Sequence, residues 1–280
     1  MVSKKFRRGI GSWMPAGLAL ILSLASVSAA AEVINLGGSG TGLGPLKLIA
    51  EAYEKTHQGI KIKIFPSLGS SGGIKAALQG KLHVVVTSRP LKEEERKQGA
   101  LEIVLARTPY VFVAHPKVTR DGLTNRELQD IYTGTMSTWP NGMRIRLVLR
   151  PEDDTDTVIL KNISPEMERS VKIALAREGM IFKVTDQESS EAVARTAGAF
   201  GASTLTQIIT EKLPLNILSF NGVKPGVATL ADGSYPLYKQ LYIVTVPHTT
   251  ATARQFIAFV RSQAGSKILA QSGNLVAAGR

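Results

Sequence analysis

Cysteine is absent from this sequence of 280 residues. A disulfide framework is therefore excluded, and the chain is long enough to build its cores without such cross-links. The absence also removes the residue that a lipid anchor would need after the N-terminal apolar segment. Folding has to rest on apolar burial, for which a content of 44% apolar residues is sufficient.

Histidine and aromatic residues are scarce. The four histidines, His57, His83, His115 and His248, show no metal-ligand spacing, so they predict no metal site. Aromatic residues make up only 6% of the chain, and Lys and Arg are dispersed among acids in runs such as 92–97, which is typical of a solvated helix face. With a formal net charge of +12, the chain is expected to attract anionic small molecules rather than nucleic acid.

The N-terminal segment has the three parts of a secretory signal. Basic residues Lys4, Lys5, Arg7 and Arg8 precede an apolar run over 16–27, and small residues follow at 28–31. We expect cleavage near Ala31, so that residues 1–31 form the signal peptide and the mature, exported chain begins near Glu32. The length that remains allows one large domain or two lobes of ordinary size.

Two glycine- and serine-rich stretches follow predicted strands, at 36–42 and 67–73, and the next predicted strand ends in the small polar residues of the stretch 87–90. Glycine lets backbone N–H groups approach a ligand closely, and the N-terminus of a following helix favours negative charge. Since the carboxyl ends of parallel strands meet at one edge of a sheet, these stretches predict an anion site at that edge. Each loop alone is also compatible with an ordinary turn from strand to helix.

The rest of the chain continues to alternate between predicted strands and helices. A capping box of Thr124 and Glu127 begins a helix that Gly134 ends, and Ser164 followed by Pro165 begins another. Further predicted strands cover 110–115, 145–149, 181–184, 198–203, 215–220 and 241–246, and further helices cover 189–196, 251–261 and 266–271. This alternation, without internal repeats, predicts an α/β fold.

Several of these stretches resemble, in the same order, the phosphate-type periplasmic substrate-binding proteins of ABC transporters. The resemblance extends from about Val33 to the C-terminus. The motifs that carry it are Gly-Ser-Ser-Gly-Gly-Ile at 69–74, Thr-Ser-Arg-Pro-Leu at 87–91, the Leu, Thr, Ile, Tyr, Gly and Trp positions between 123 and 139, Leu-Ser-Phe-Asn-Gly-Val at 218–223, and Tyr-Pro-Leu at 235–237 with the strand at 241–245.

The resemblance implies a two-lobe α/β fold of the periplasmic binding protein-like type II class, with two crossing hinge strands and lobe two inserted in lobe one. Lobe one is expected to comprise residues 32–115 and 222–280, and lobe two residues 116–221. The resemblance also implies a monomeric, non-enzymatic periplasmic protein without cofactor or metal. Such a protein delivers a small oxyanion, phosphate foremost, to an ABC permease in the inner membrane.

In proteins of this family, backbone N–H groups, hydroxyls and one arginine hold a dehydrated oxyanion by replacing the hydrogen bonds of water. The residues at the matching positions of this chain are Thr41, Gly42, Leu43, Ser70, Ser88, Arg89 and Arg150. From the sequence alone, Arg150 is equally compatible with a salt bridge at the surface.

Two positions depart from the family pattern. Ser88 stands where phosphate-specific members place an aspartate that accepts the proton of hydrogen phosphate, although serine can also accept and donate. Beyond Arg150, the acidic segment 151–157 replaces a Ser-Gly-Thr loop. Ionised carboxylates a few Å from a phosphate would cost on the order of 1 to 4 kcal/mol. If instead Asp153 or Asp154 caps the next helix and the other acids face solvent, the site stays intact.

The acidic segment leaves other functions open. Residues 154–157 partly match the D-x-D-x-T pattern of haloacid-dehalogenase-type phosphatases, although Pro151 and Glu152 separate them from the strand. Alternating carboxylates also suit Ca²⁺, but the glycine and the distal glutamate of an EF-hand loop are missing. A third alternative is a binding-protein fold repurposed as a sensor or interaction module, with a degenerate or different ligand site at 152–156.

Overall fold

The computed structural model describes residues 1–2 and 32–277 of the chain. The predicted signal peptide and its cleavage near Ala31 lie outside the described residues. Within the part that the structure describes, no helix is both long and apolar enough to cross a membrane.

Strands and helices alternate along the described chain, as the sequence predicts. The first elements are β1 (Glu32–Gly38), α1 (Gly40–Thr56), β2 (Ile60–Ile64), α2 (Gly69–Leu78), β3 (Val84–Thr87), α3 (Glu93–Lys97) and β4 (Leu101–Ala114). The middle elements are β5 (Gly122–Leu123), α4 (Asn125–Thr133), β6 (Arg146–Leu149), α5 (Thr155–Lys161), α6 (Pro165–Ala176), β7 (Ile181–Phe182), α7 (Asp186–Arg195), β8 (Ala199–Thr204), α8 (Leu205–Glu211) and β9 (Asn216–Phe220). The last elements are α9 (Val227–Ala231), β10 (Tyr238–Thr245), α10 (Ala251–Val260), α11 (Gln263–Gln271) and β11 (Leu275–Val276).

Lobe one is built on a sheet with the strand order β2-β1-β3-β10-β4. The first three strands are parallel, whereas β10 runs antiparallel to both of its neighbours and β11 pairs antiparallel with β4. Its main core packs β1 and β3 against α1 and α10, through buried side chains such as Leu36, Ile49, Val86 and Phe256. The parallel strands therefore present their carboxyl ends, and the loops that follow them, at one edge of the sheet.

Lobe two is built on a second sheet with the order β4-β8-β6-β7, in which β9 also pairs with β4. β6 runs parallel to β7 and β8, and β4 runs antiparallel to β8 and β9. Phe112, Trp139 and Phe200 pack in its core, and the Trp139 Nε1–H donates to the Gly198 carbonyl at 2.9 Å. The parallel strand β6 thus ends at Leu149 and delivers Arg150 to the edge of this sheet.

The long strand β4 belongs to both sheets. Its residues up to Pro109 pair with β10, and its residues from Tyr110 onward pair with β8. The chain returns beside it, where the Tyr110 N–H donates to the Leu237 carbonyl at 3.0 Å. The sequence analysis predicts a strand only at 110–115, whereas the structure extends it back through Pro109 to Leu101.

Two helices, α4 and α7, begin with a capping box. Thr124 and Glu127 form the predicted capping box of α4, and Gly134 ends that helix with φ of 87°. Helix α7 begins at Asp186, three residues before its predicted start. The reason is a capping box of Thr185 and Glu188, in which the Thr185 hydroxyl accepts from the Glu188 N–H.

Candidate functional site

A cavity of about 280 Å³ lies where the strand ends of the two lobes face each other. Four helices, α1, α2, α5 and α7, begin beside it, so the partial positive charge of their N-termini is directed toward this space. The residues that line the cavity are Ser39, Ser67, Leu68, Gly69, Ser70, Ser71, Gly72, Ser88, Arg89, Arg150, Pro151, Asp153, Asp154, Thr155, Val184, Thr185, Asp186 and Lys239. A larger cavity of about 550 Å³, beside Arg144 and Arg177, contains none of the predicted site residues.

Serine hydroxyls form the lobe-one wall of the cavity. Ser39 and Ser88, which directly follow β1 and β3, share a hydrogen bond between their hydroxyls. The Ser70 hydroxyl, at the start of α2, accepts from the Ser88 N–H at 2.9 Å. The three loops that the sequence predicts to share one edge of the sheet are therefore brought together and joined by hydrogen bonds.

Arg89 lines the cavity but is already engaged. Its Nη1 and Nη2 atoms donate to both carboxylate oxygens of Glu95, at 2.9 and 2.7 Å, and Nη2 also donates to the Ser71 hydroxyl at 2.9 Å. These bonds lower the pKa of Glu95, against the opposing effect of burial. Arg89 thus holds the second serine loop in place through Ser71.

Arg150 is buried, with 7% of its surface exposed. Its guanidinium makes two bonds to Asp154, from Nε to Oδ1 at 3.3 Å and from Nη2 to Oδ2 at 2.8 Å, and Nη1 donates to the Lys183 carbonyl at 3.2 Å. The salt bridge considered from the sequence therefore exists, but it lies inside the cleft and not at the surface.

The acidic segment combines the two arrangements considered from the sequence, carboxylates that face the cleft and an aspartate that caps the next helix. Asp154 caps α5, since its Oδ1 accepts from the Asp156 N–H at 2.9 Å, and it also faces the cavity and pairs with Arg150. Glu152 is exposed and pairs with Lys161 at 2.6 Å. Asp156, in contrast, points inward and is 2% exposed. Within the described residues, no three acidic or histidine side chains converge in an arrangement that would hold a metal ion.

Lys239 is a central residue of the site that the sequence analysis missed. Its side chain is 2% exposed, and its Nζ lies 2.8 Å from Asp186 Oδ1, 2.5 Å from Asp156 Oδ1 and 3.2 Å from Thr41 Oγ1. A signal existed in the sequence, because Lys239 shares the inward face of β10 with Leu241 and Ile243. A lysine on the apolar face of a strand requires buried partners.

Asp186 was also not predicted, because an acidic residue near a helix start is common and by itself indicates no binding site. Its Oδ2 accepts from the Thr41 N–H at 3.1 Å, and the neighbouring Gln187 side chain donates to the Gly40 carbonyl at 3.2 Å. The first turn of α7 in lobe two is thereby bonded to the first turn of α1 in lobe one.

The predicted site residues take different positions around this cluster. Ser70, Ser88, Arg89 and Arg150 line the cavity. The three residues of the first loop, Thr41, Gly42 and Leu43, form the first turn of α1 behind the lining residues, where the Thr41 N–H is bonded to Asp186 and the Gly42 N–H to the Ser39 carbonyl. Ligand contact by these seven residues stays a prediction.

The buried charges shift one another's pKa values. Burial raises the pKa of Asp156 to about 6, against the lowering effect of Lys239. Burial acts in the same direction on Asp186, but there Lys239 and Arg150 prevail and lower the pKa to about 2. Burial opposes protonation of Lys239 and Arg150, yet the surrounding carboxylates raise the pKa of both. The cluster therefore keeps its two cations at neutral pH, and Asp156 takes up a proton at a higher pH than Asp186 does.

Comparisons with known proteins agree with this architecture. A family model described as a PBP superfamily domain matches residues 25–264. The phosphate-binding protein PstS of Borreliella burgdorferi is 24% identical over 253 residues, which cover 87% of this chain and 90% of that protein.

Two solved structures show the same fold. One, from Clostridium perfringens, is described as a phosphate ABC transporter substrate-binding protein with bound phosphate. It has a TM-score of 0.73 and 22% identity, and the match covers 88% of this chain and 100% of that one. The other, an ABC-type phosphate transport receptor from Vibrio cholerae, has a TM-score of 0.59 and 20% identity, and the match covers 87% and 99% of the two chains.

Proposed function

Because this chain belongs to the PBP superfamily, we propose that it is a non-enzymatic periplasmic solute-binding protein that captures phosphate or a related oxyanion between its lobes. Similarity over most of the chain to proteins named for phosphate binding supports this ligand class. The observation that carries the proposal is the position of Arg150, a buried guanidinium in the cavity wall opposite the serine hydroxyls of lobe one.

An anion that is buried in a protein loses its hydrogen bonds to water and needs new donors in their place. A tetrahedral oxyanion needs several hydrogen-bond donors around it, and neutral hydroxyls with one guanidinium supply them without excess charge. Ser39, Ser70 and Ser88 are bonded together on one side, and Arg150 is held in a fixed orientation by Asp154 and the Lys183 carbonyl on the other. This prior fixing lowers the entropy cost of binding.

We retain the seven predicted residues as the proposed ligand site and add Lys239. The proposed roles are backbone N–H donation by Thr41, Gly42 and Leu43, hydroxyl donation by Ser70 and Ser88, and electrostatic attraction by Arg89, Arg150 and Lys239. For Arg89 that attraction is weakened by its pair with Glu95. No cofactor takes part in this proposal.

The lobe boundaries belong to the same proposal. We assign 32–115 and 222–280 to lobe one and 116–221 to lobe two, with the hinge where β4 passes from one sheet to the other. The packing of Tyr235 in the lobe-two core, where its hydroxyl donates to the Tyr110 carbonyl at 2.7 Å, favours moving the return boundary from 222 to Leu237. Export by the signal peptide, a monomeric state and delivery to an ABC permease complete the proposal.

Calorimetry on the purified protein with phosphate, sulfate, molybdate and tungstate tests this function. We expect tight binding of one oxyanion by the wild type and a loss of at least 10-fold in affinity in Arg150→Ala, since a charge-assisted hydrogen bond contributes about 1.5 to 3 kcal/mol. Arg146→Ala is the matched control, because Arg146 lies on the same strand, is exposed and lies away from the cavity. An unchanged affinity in Arg150→Ala, with the fold intact by circular dichroism, would refute the site.

The alternative function is that of a sensor or interaction module with a degenerate or different ligand site. The observation that favours it is that carboxylates of the chain itself already pair with both buried cations, Arg150 and Lys239. Absence of a calorimetric signal for all four oxyanions would support this alternative, and tight binding of any one of them would support solute capture.

A further inference from the structure

Asp186 is placed where a bound anion would be expected. Its two carboxylate oxygens accept from the Thr41 N–H at 3.1 Å and from Lys239 Nζ at 2.8 Å. The Thr41 N–H lies in the first turn of α1, a 17-residue helix that follows the glycine loop of lobe one. One donor of the first loop, the Thr41 N–H, and one donor of Lys239 are therefore engaged by a side chain of lobe two.

Lys239 donates hydrogen bonds to Asp186 and Thr41 and also forms an ion pair with Asp156. An ammonium group has three N–H donors, and three oxygen atoms surround this one, from Asp186, Asp156 and the Thr41 hydroxyl. Asp186 and Lys239 are 7% and 2% exposed, so water does not compete for these bonds. An oxyanion that takes the place of Asp186 beside Lys239 has to break the bond between these two side chains.

The carboxylate of Asp186 is not required by its own helix. The N-cap of α7 is Thr185, whose hydroxyl accepts from the Glu188 N–H, and Glu188 completes the capping box in return. The Asp186 side chain instead reaches the other lobe, where Arg150 Nη2 also lies 3.9 Å from its Oδ1. Its bonds thus serve the contact between the lobes rather than local helix formation.

On the basis of the proposed function, we infer that Asp186 is an internal anion that an incoming oxyanion displaces from the Thr41 amide and from Lys239. Asp186 then determines affinity, because each binding event has to break its bonds and bring a second negative charge close to it. Replacing Asp186 by a neutral residue removes this competition and leaves the donors of lobe one available to the ligand.

The test compares the affinity of inorganic phosphate in the wild type, Asp186→Asn and Asp153→Asn by calorimetry at one pH and ionic strength. We expect at least a 10-fold gain in Asp186→Asn, and a gain of less than threefold in Asp153→Asn. Asp153 is the matched control because it lines the same cavity and carries the same charge but does not bond to Thr41 or Lys239. Equal gains in the two variants would mean that general repulsion, not displacement, sets the affinity, and would overturn the inference.

A second variant, Asp186→Ala, is included because the asparagine amide oxygen could still accept a hydrogen bond from the Thr41 N–H. Amide hydrogen exchange without added phosphate should show faster exchange at Thr41 in this variant and no change at Thr41 in Asp153→Asn. If the wild type binds phosphate and neither Asp186 variant binds it more tightly, the inference fails while the proposed function stands. If none of the proteins binds phosphate or the other three oxyanions, both fail.

Discussion

Replacing the buried acid Asp156 by asparagine should remove a pH dependence of stability that the charge cluster creates. In the folded protein burial raises the pKa of Asp156 from 3.8 to about 6. Between pH 3.8 and about 6, the folded state therefore holds a proton at Asp156 that the unfolded state has already released. Stability from this group is fully present below pH 3.8 and is lost as the pH rises through 6.

The magnitude follows from the same pKa values. Between pH 7 and pH 5, the folded protein takes up most of one proton at Asp156 while the unfolded chain takes up almost none, so Asp156 alone should add about 1 kcal/mol to the free energy of unfolding. Asp186 adds nothing in this interval, because its lowered pKa of about 2 places its own contribution at more acidic pH, where stability falls again.

The assay is urea denaturation at pH 7 and pH 5, followed by tryptophan fluorescence and circular dichroism. Asp156→Asn should lose the gain at pH 5, whereas the exposed Asp153→Asn should keep it. Asparagine is close in shape to aspartic acid and can still accept a bond from Lys239, which limits side effects of the change. If the wild type and Asp156→Asn gained equally at pH 5, Asp156 would not be the titrating group and the reasoning would be wrong.

Two further predictions concern the framework of the site. At Gly38, with φ of 127°, an added Cβ would lie 2.0 Å from the Val86 carbonyl oxygen, so Gly38→Ala should cost about 3 kcal/mol or more, seen as a large drop in Tm. Gly59→Ala is the control, since Gly59 also has positive φ but no neighbour within 4 Å, and similar losses in both would contradict the steric argument. Tyr235→Phe removes the 2.7 Å bond to the Tyr110 carbonyl and should cost about 1 kcal/mol in chemical denaturation, whereas unchanged stability would show that this bond contributes nothing.

Local sequence rules predicted the parts of the site that depend on neighbouring residues. The loops after β1 and β2 were recognised because a strand, a glycine-rich turn and a helix start follow one another directly. The capping box of Thr124 and Glu127 and the end of α4 at Gly134 were correct for the same reason. Arg150 was placed at a strand end by the alternation of Ile145, Leu147 and Leu149.

The charge cluster could not be predicted in this way, because its bonds join distant parts of the chain. Asp186 is 145 positions from Thr41 and 53 from Lys239. No periodicity or cap connects such residues, and none of the roles that the sequence suggested for the acids 152–156 was that of a counter-ion to a buried cation. The structure gives Asp154 and Asp156 a different role, as counter-ions of two buried cations, which depends on the packing of both lobes.

Because β4 changes partners along its length, one strand is shared by the sheets of both lobes. A fragment cut from this protein to contain one sheet must also contain β4, and it would then expose half of that strand with its hydrogen-bonding groups unpaired. Pro109 offers no N–H at the point where the partners change, so the hydrogen-bond ladder lacks one donor there. The two sheets therefore cannot be separated into independent fragments without cutting this strand.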